Sequence, residues 1–412
     1  MKDIVIIGGG VAGLTAAIAA KDRDDEAKVT VISEEKISSY RRASLPGIID
    51  GTSKFQDITV LSGELNGITL LKGAKVLNVD VSAGNVAVKE DGGAEKTLTY
   101  DSLILSTGAN PALPSINGIE SKSVCALRTF DDAVRISEAK RNVTVVGAGF
   151  IALMIAEALI RRGIKVNLIV RSRILRGIVE PEISEYVERK MIDYGVNVMT
   201  GATPEEIVER NGKTYLNTSK GDVESSMIIF STGVTPNIEL AKNAGIKIGR
   251  RGIETDEQMR TSLSNVYAAG DCAEVVEAIT KKMAYIPLAS IAAKGGKIAG
   301  MNAAGGEERG DFMRMQNEEI FDINIVTMGY TEDDAREVVD KRAKKMRLNG
   351  AYVITDGEDR VIGASCLYTR ISSPYINALY DTIKEGKSFA ELQNLFGDPS
   401  KKIDELMREE VL

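Results

Sequence analysis

The chain has 412 residues, too many for one hydrophobic core, and suits two or three domains. Its apolar content of 43% and charged content of 27% are those of a globular protein, and a net charge of -7 without a basic stripe argues against nucleic-acid binding. Histidine is absent, and Cys125, Cys272 and Cys366 lie far apart, which excludes Cys-x-x-Cys chemistry and histidine-based proton transfer or zinc binding.

The start, Met1-Lys2-Asp3 followed at once by an apolar strand, does not read as a signal peptide. No apolar run reaches the roughly 18 residues of a membrane span. A cytoplasmic protein without a span is therefore expected.

In chain order, the β-branched run Ile4-Val5-Ile6-Ile7 leads into Gly8-Gly9-Gly10-Val11-Ala12-Gly13 and an alanine-rich stretch to Ala20. This predicts strand, turn and helix. In Gly-x-Gly-x-x-Gly the first glycine permits the tight turn and the second lets a pyrophosphate approach the backbone. The third lets helix and strand pack closely, with the phosphate on the positive end of the helix. A second strand over 28–32 ends at Ser33-Glu34-Glu35, and a stretch dense in polar and turn residues follows, Ser38 to Gly47. Alternating segments near 75–81, 86–89 and 98–99 predict a three-stranded antiparallel insert. An apolar strand then ends in Ser106-Thr107-Gly108-Ala109.

The same grammar repeats. Val143-Thr144-Val145-Val146 leads into Gly147-Ala148-Gly149-Phe150-Ile151-Ala152, with a helix to 162, a strand over 165–170, a helix around 182–194 and short strands near Val196 and Val208. The copy ends in a strand and Ser231-Thr232-Gly233. This is an internal duplication at domain scale. One glycine turn alone could be structural; two in this setting imply two bound dinucleotides and electron transfer between them. Next, Val266-Tyr267-Ala268-Ala269-Gly270-Asp271 predicts a strand ending in Gly-Asp, followed by a small-residue helix over 287–303. Beyond Gly305-Gly306 the composition changes. Strands over 320–328, 351–354 and 361–367, with helices over 332–342, 374–384 and 388–395, predict an α+β module.

In this order the two glycine turns, the Ser106-Thr107-Gly108-Ala109 turn and the Tyr267-Ala268-Ala269-Gly270-Asp271 segment resemble the FAD- and pyridine-nucleotide-dependent disulfide oxidoreductases. The branch that matches is that of NADH oxidases and coenzyme A-disulfide reductases, and the resemblance covers essentially the whole chain. It implies an α/β fold with two related doubly wound, Rossmann-like dinucleotide-binding domains plus a C-terminal α+β dimerisation domain. Residues 1–112 and 237–311 would form a split FAD domain, 113–236 an NAD(P) domain, and 312–412 the interface of a homodimer. By the same resemblance Gly8, Gly10 and Gly13 hold the FAD pyrophosphate and Glu34 holds ribose hydroxyls. Thr107, Gly108 and Ala109 lie beside the flavin, and Asp271 holds the ribityl chain and flavin phosphate.

Gly147, Gly149 and Ala152 would hold the nicotinamide dinucleotide. Where NADH-preferring relatives end the next strand in Glu, this chain reads Arg171-Ser172-Arg173. An acid repels the 2′-phosphate of NADPH, whereas arginines can clamp it. Two such bonds at roughly 1.5–3 kcal/mol each would favour NADPH by about 10²–10⁴ in affinity. Otherwise these arginines are solvated surface charge.

The chain departs from the family at its redox centre. The family's active cysteine falls in the frame Ser39-Tyr40-Arg41-Arg42-Ala43-Ser44-Leu45-Pro46, at Ala43. A methyl group forms no thiolate, sulfenic acid or mixed disulfide. Met154 also stands where relatives carry Glu near the flavin. The frame Tyr40-x-Arg42-x-x-Leu45 instead resembles rubredoxin and ferredoxin reductases, in which Arg42 would bind FAD phosphate and no cysteine acts. The implied activity is hydride transfer from NAD(P)H to FAD and onward passage of electrons to dioxygen, a quinone-like compound or a small redox protein. The alternatives are coenzyme A-disulfide or persulfide reduction with a substrate thiol, and a non-catalytic flavin-binding subunit.

Overall fold

A computed structural model describes residues 1–37, 39–60, 67–348, 350–368 and 373–396. These divide into two compact units: residues 1–111, 128–130 and 234–312 form the first, and residues 112–127, 131–233 and 313 onward form the second.

In the first unit, Asp3–Ile7 is the middle strand of a five-stranded parallel sheet. The spatial order is Ile68–Lys72, Lys28–Ser33, Asp3–Ile7, Ser102–Leu105, Val266–Ala268. Four of the five residues in Asp3–Ile7 are buried, as a strand covered on both faces requires. The helix Val11–Arg23 follows the glycine turn and packs on Ala289–Ala303. Added Cβ atoms at Gly296 and Gly300 would meet Ala12 O at 2.2 Å and Ala16 O at 2.1 Å, so these two helices touch through their backbones.

The second unit repeats this order with Asn197–Thr200, Val166–Val170, Val143–Val146, Met227–Phe230 and Val124–Cys125, again all parallel. Each copy inserts a three-stranded antiparallel sheet before its fourth strand: Ala74–Asp80, Asn85–Glu90 and Glu95–Thr99 in one, Pro204–Arg210, Lys213–Thr218 and Gly221–Glu224 in the other. The duplication is therefore one of topology except at one edge, where Val124–Cys125 precedes its glycine strand and Val266–Ala268 follows the other. In both sheets the chain reverses its direction of travel at the glycine strand, the switch point where doubly wound folds open a crevice.

The C-terminal part is an antiparallel sheet with helices. The stretch expected as one strand over 320–328 is a hairpin, Met315–Ile320 and Ile323–Gly329, turned by Phe321 and Asp322 at φ +49° and +61°. The helix expected to reach 342 ends at Val338, and Lys344–Leu348 becomes an edge strand paired with Ala351–Thr355. Among the described residues no helix is long and apolar enough to cross a membrane.

Candidate functional site

Both glycine turns have the geometry that their spacing predicts. Gly8 has φ +113°, and a Cβ there would lie 2.0 Å from Ser106 O; Gly147 has φ +151°, with the same clash against Ser231 O at 2.2 Å. Each turn thus abuts the serine of its own Ser-Thr-Gly segment. At Gly13 a Cβ would meet Gly8 O at 1.9 Å, whereas the buried Ala152 is accommodated beside Gly147. The middle glycines differ: Cβ atoms at Gly10 and Gly149 would meet nothing within 4 Å. They are the N-caps of Val11–Arg23 and Phe150–Arg161. Open space over a helix N-terminus is a fit for an anionic pyrophosphate.

In the first unit a cleft is lined by Gly9, Gly10, Ser33, Glu35, Ile37, Ser39, Tyr40 and Arg42. Glu34, expected to meet a ribose, does not line it: its carboxylate pairs with Lys75 at 3.2 Å and its side chain is 71% exposed. Strand alternation is the reason. Ser33 ends the strand, so Ser33 and Glu35 share one side and Glu34 takes the other. Glu35 accepts the Tyr40 hydroxyl at 2.7 Å and forms an ion pair with Arg42. Burial, partly offset by Arg42, pushes the Tyr40 phenol up to about 12, so it acts only as a neutral hydroxyl.

Arg42 also donates to Arg128 O at 2.6 Å, and both terminal nitrogens of Arg128 lie 3.2 Å from Asp271 Oδ2. An added Cβ at Gly108 would meet Arg128 Nη2 at 3.1 Å. The structure therefore gathers Arg42, Gly108 and Asp271 around Arg128, a residue that the sequence reading missed. Burial first, and the neighbouring Arg42 charge second, lower the Arg128 pKa. Thr107 donates to Asn237 O at 2.6 Å, while Asn237 returns bonds to Thr107 O and Gly108 O, each at 2.9 Å. Ala109 heads a short strand paired with Val234–Pro236. Only Asn237 following Pro236 at the end of the second Ser-Thr-Gly segment could have hinted at this clasp.

Ala43 lies in a short 3₁₀ turn, Arg42–Ser44, and is exposed. All three cysteines are buried. Burial pushes the Cys125 and Cys366 thiols up to about 12 and raises Cys272, whose Sγ lies 3.4 Å from Leu105 O and Ala269 O. Thiolate chemistry needs the opposite environment.

In the second unit Arg171 is exposed just past the strand Val166–Val170, and Arg173 is half-buried with Nη1 donating to Val179 O at 3.1 Å. The segment carrying both is tied to the glycine turn through Leu175 N–H and Ala148 O, 2.7 Å apart.

Known proteins resemble this chain in sequence and in fold. Residues 2–296 match the family model described as pyridine nucleotide-disulphide oxidoreductase. The chain is 33% identical over 420 residues to an NADH oxidase of Methanocaldococcus jannaschii, covering 95% of this chain and 93% of that protein. It superposes with TM-score 0.89 and 31% identity on an NAD-dependent persulfide reductase from A. fulgidus, covering 97% and 80% of the two chains. An engineered water-forming NADPH oxidase bound to NADPH gives TM-score 0.89 and 26% identity, over 94% and 92% of the two chains. That enzyme was made from an NADH oxidase of Lactobacillus brevis by changing a glycine to alanine, three consecutive residues to Ala-Arg-Ser, and a proline to arginine. The duplicated doubly wound sheets, their glycine turns and the family match over residues 2–296 together establish that this chain belongs to the pyridine nucleotide-disulfide oxidoreductase family.

Proposed function

We propose that the chain is an FAD-dependent oxidoreductase that takes a hydride from NAD(P)H and passes electrons to a small acceptor without a cysteine of its own. One observation carries this reading: the same strand order, with an open middle glycine at the switch point, occurs twice. The first unit would hold FAD, the flavin supplying when bound a ring that takes up a hydride and releases electrons. Gly8, Gly10 and Gly13 give the pyrophosphate an unobstructed helix N-terminus, with Arg42 as counter-charge. Glu35, which lines the cleft, rather than Glu34, would accept ribose hydroxyls, and Asp271, oriented by Arg128, would hold the chain that leads to the flavin. Thr107 and Gly108, clasped by Asn237, form a fixed wall with Ala109 beside it.

Gly147, Gly149 and Ala152 would take the nicotinamide dinucleotide, with NADPH preferred. In the engineered NADPH oxidase the Ala-Arg-Ser substitutions lie 18, 19 and 20 residues after the substituted glycine, as Val170, Arg171 and Ser172 lie after Ala152. Arg173, already bonded to Val179 O, supports the loop and leaves Arg171 as the freer guanidinium. The segments 1–112, 113–236, 237–311 and 312–412 would be the functional domains, with the last forming a homodimer interface.

Similarity to an NADH oxidase favours dioxygen as acceptor; similarity to a persulfide reductase supports a second reading, reduction of a coenzyme A persulfide or disulfide through a substrate thiol. Anaerobic addition of NADPH to the yellow protein should bleach its absorbance. Reoxidation by air, by a rubredoxin or by coenzyme A disulfide then separates the acceptors. A protein that neither retains flavin nor bleaches with either nicotinamide overturns the proposal.

A further inference from the structure

The arginine segment after Val166–Val170 is held from outside. Leu175 is fully buried with φ +52°, a left-handed conformation that a bulky side chain adopts only when its surroundings impose it. Its anchors come from the C-terminal sheet, within the same compact unit. Arg314 Nη1 donates to Gly177 O at 2.9 Å, and Thr327 Oγ1 donates to Ile178 O at 2.5 Å. Glu180, 2% exposed, accepts the Glu332 N–H at 2.9 Å and has Lys345 Nζ at 3.5 Å; Lys345 also bonds Glu182 at 2.7 Å. Residues 177–182 are thus tied down by groups from the C-terminal sheet and the helix beside it, while Leu175 is tied to the glycine turn.

We infer that Arg314, Thr327 and Lys345 are positioning residues for nicotinamide specificity, holding residues 171–180 so that Arg171 stands ready for the 2′-phosphate. The inference rests on the NADPH reading given above. The physical reason is ordering entropy. A guanidinium on a free loop must be ordered by the ligand at the moment of binding, whereas here folding has already ordered the backbone that carries it. The benefit falls on the 2′-phosphate alone, because the rest of the dinucleotide meets Gly147, Ala148 and Gly149.

The test is calorimetric titration of the flavin-loaded protein with two fragments, 2′,5′-ADP and ADP. Thr327→Val and Arg314→Met should each weaken 2′,5′-ADP about tenfold, the worth of one charge-linked hydrogen-bond arrangement, and leave ADP unchanged. Thr327→Ser, which keeps the hydroxyl, should restore wild-type binding. Flavin absorbance and melting temperature establish that each variant folds. If Arg171→Ala abolishes the 2′,5′-ADP advantage while both anchor variants keep it, the positioning role is overturned and the NADPH reading stands. If Arg171→Ala also keeps it, both are overturned. Equal losses for ADP and 2′,5′-ADP would mark the anchors as merely structural and overturn the inference as well.

Discussion

Glu35 and Arg42 form an ion pair in the cleft beside the first glycine turn, while Glu34, one residue earlier, faces Lys75 on the opposite side of the chain. Strand alternation thereby gives two adjacent carboxylates different partners.

Their substitution should separate cleanly. Glu34→Gln removes an exposed pair worth about 0–1 kcal/mol and should leave flavin retention unchanged. Glu35→Gln loses the partner of Arg42 and should weaken flavin binding about tenfold or more, in line with the value of hydrogen bonds to charged groups. Flavin content after gel filtration in dilute buffer reads the difference; the reverse pattern would return the ribose to Glu34.

Gly8→Ala and Gly10→Ala form a second contrast. A methyl at Gly8 meets Ser106 O at 2.0 Å with the backbone at φ +113°, so unfolding free energy should fall by roughly 2–5 kcal/mol, strain and overlap together. A methyl at Gly10 meets no protein atom, and the apoprotein should change by less than about 1 kcal/mol. If Gly10 holds the flavin pyrophosphate as proposed, flavin affinity should drop sharply for Gly10→Ala, because the methyl would occupy the open space over the helix N-terminus. Urea unfolding of the apoprotein and flavin reconstitution measure the two effects.

Asp271→Asn should remove the carboxylate that both terminal nitrogens of the mostly buried Arg128 contact. Loss of stability on the order of 1–3 kcal/mol is expected, together with flavin release. Arg128→Lys should recover part of the pairing but not the two-nitrogen contact, and should fall between wild type and Arg128→Ala in flavin retention.

The thiols should be inert. Iodoacetamide at neutral pH should leave the native protein unmodified by mass and its NADPH-dependent bleaching intact. In the unfolded chain a thiol ionises near its ordinary pKa of about 8.5; in the fold Cys125 and Cys366 are held up to about 12. The folded state therefore keeps protons that the unfolded state loses, so this contribution is fully present below about pH 8.5 and is lost as pH rises toward the folded value. A denaturation midpoint that rises between pH 8.5 and 10 in Cys-to-Ser comparisons would contradict the burial argument.

Much of the first unit was legible because its signals are local. A buried parallel strand, a turn that only glycine can make and a small-residue helix occupy consecutive residues, and their order in both copies is written directly in residues 4–20 and 143–162. The hairpin at Phe321-Asp322 was not legible, since Phe321 is a poor left-handed turn former and the single Asp322, though a turn residue, has no glycine beside it. Arg128 was likewise hidden: it meets Asp271 across 143 residues, and nothing near it in the chain distinguishes it from other arginines.

The amino-acid order alone determined that two glycine turns of one kind exist, that position 43 is alanine and that no histidine can carry protons. These are matters of residue identity and of backbone conformations open to glycine and few others. Only the tertiary structure decided which glutamate faces the cleft, that Asn237 clasps the Thr107–Gly108 turn from 130 residues away, and that Thr327 and Arg314 secure the arginine segment. Such pairings depend on sheet register and on which side of each strand a residue falls, and local sequence spacing does not encode either across a hundred residues.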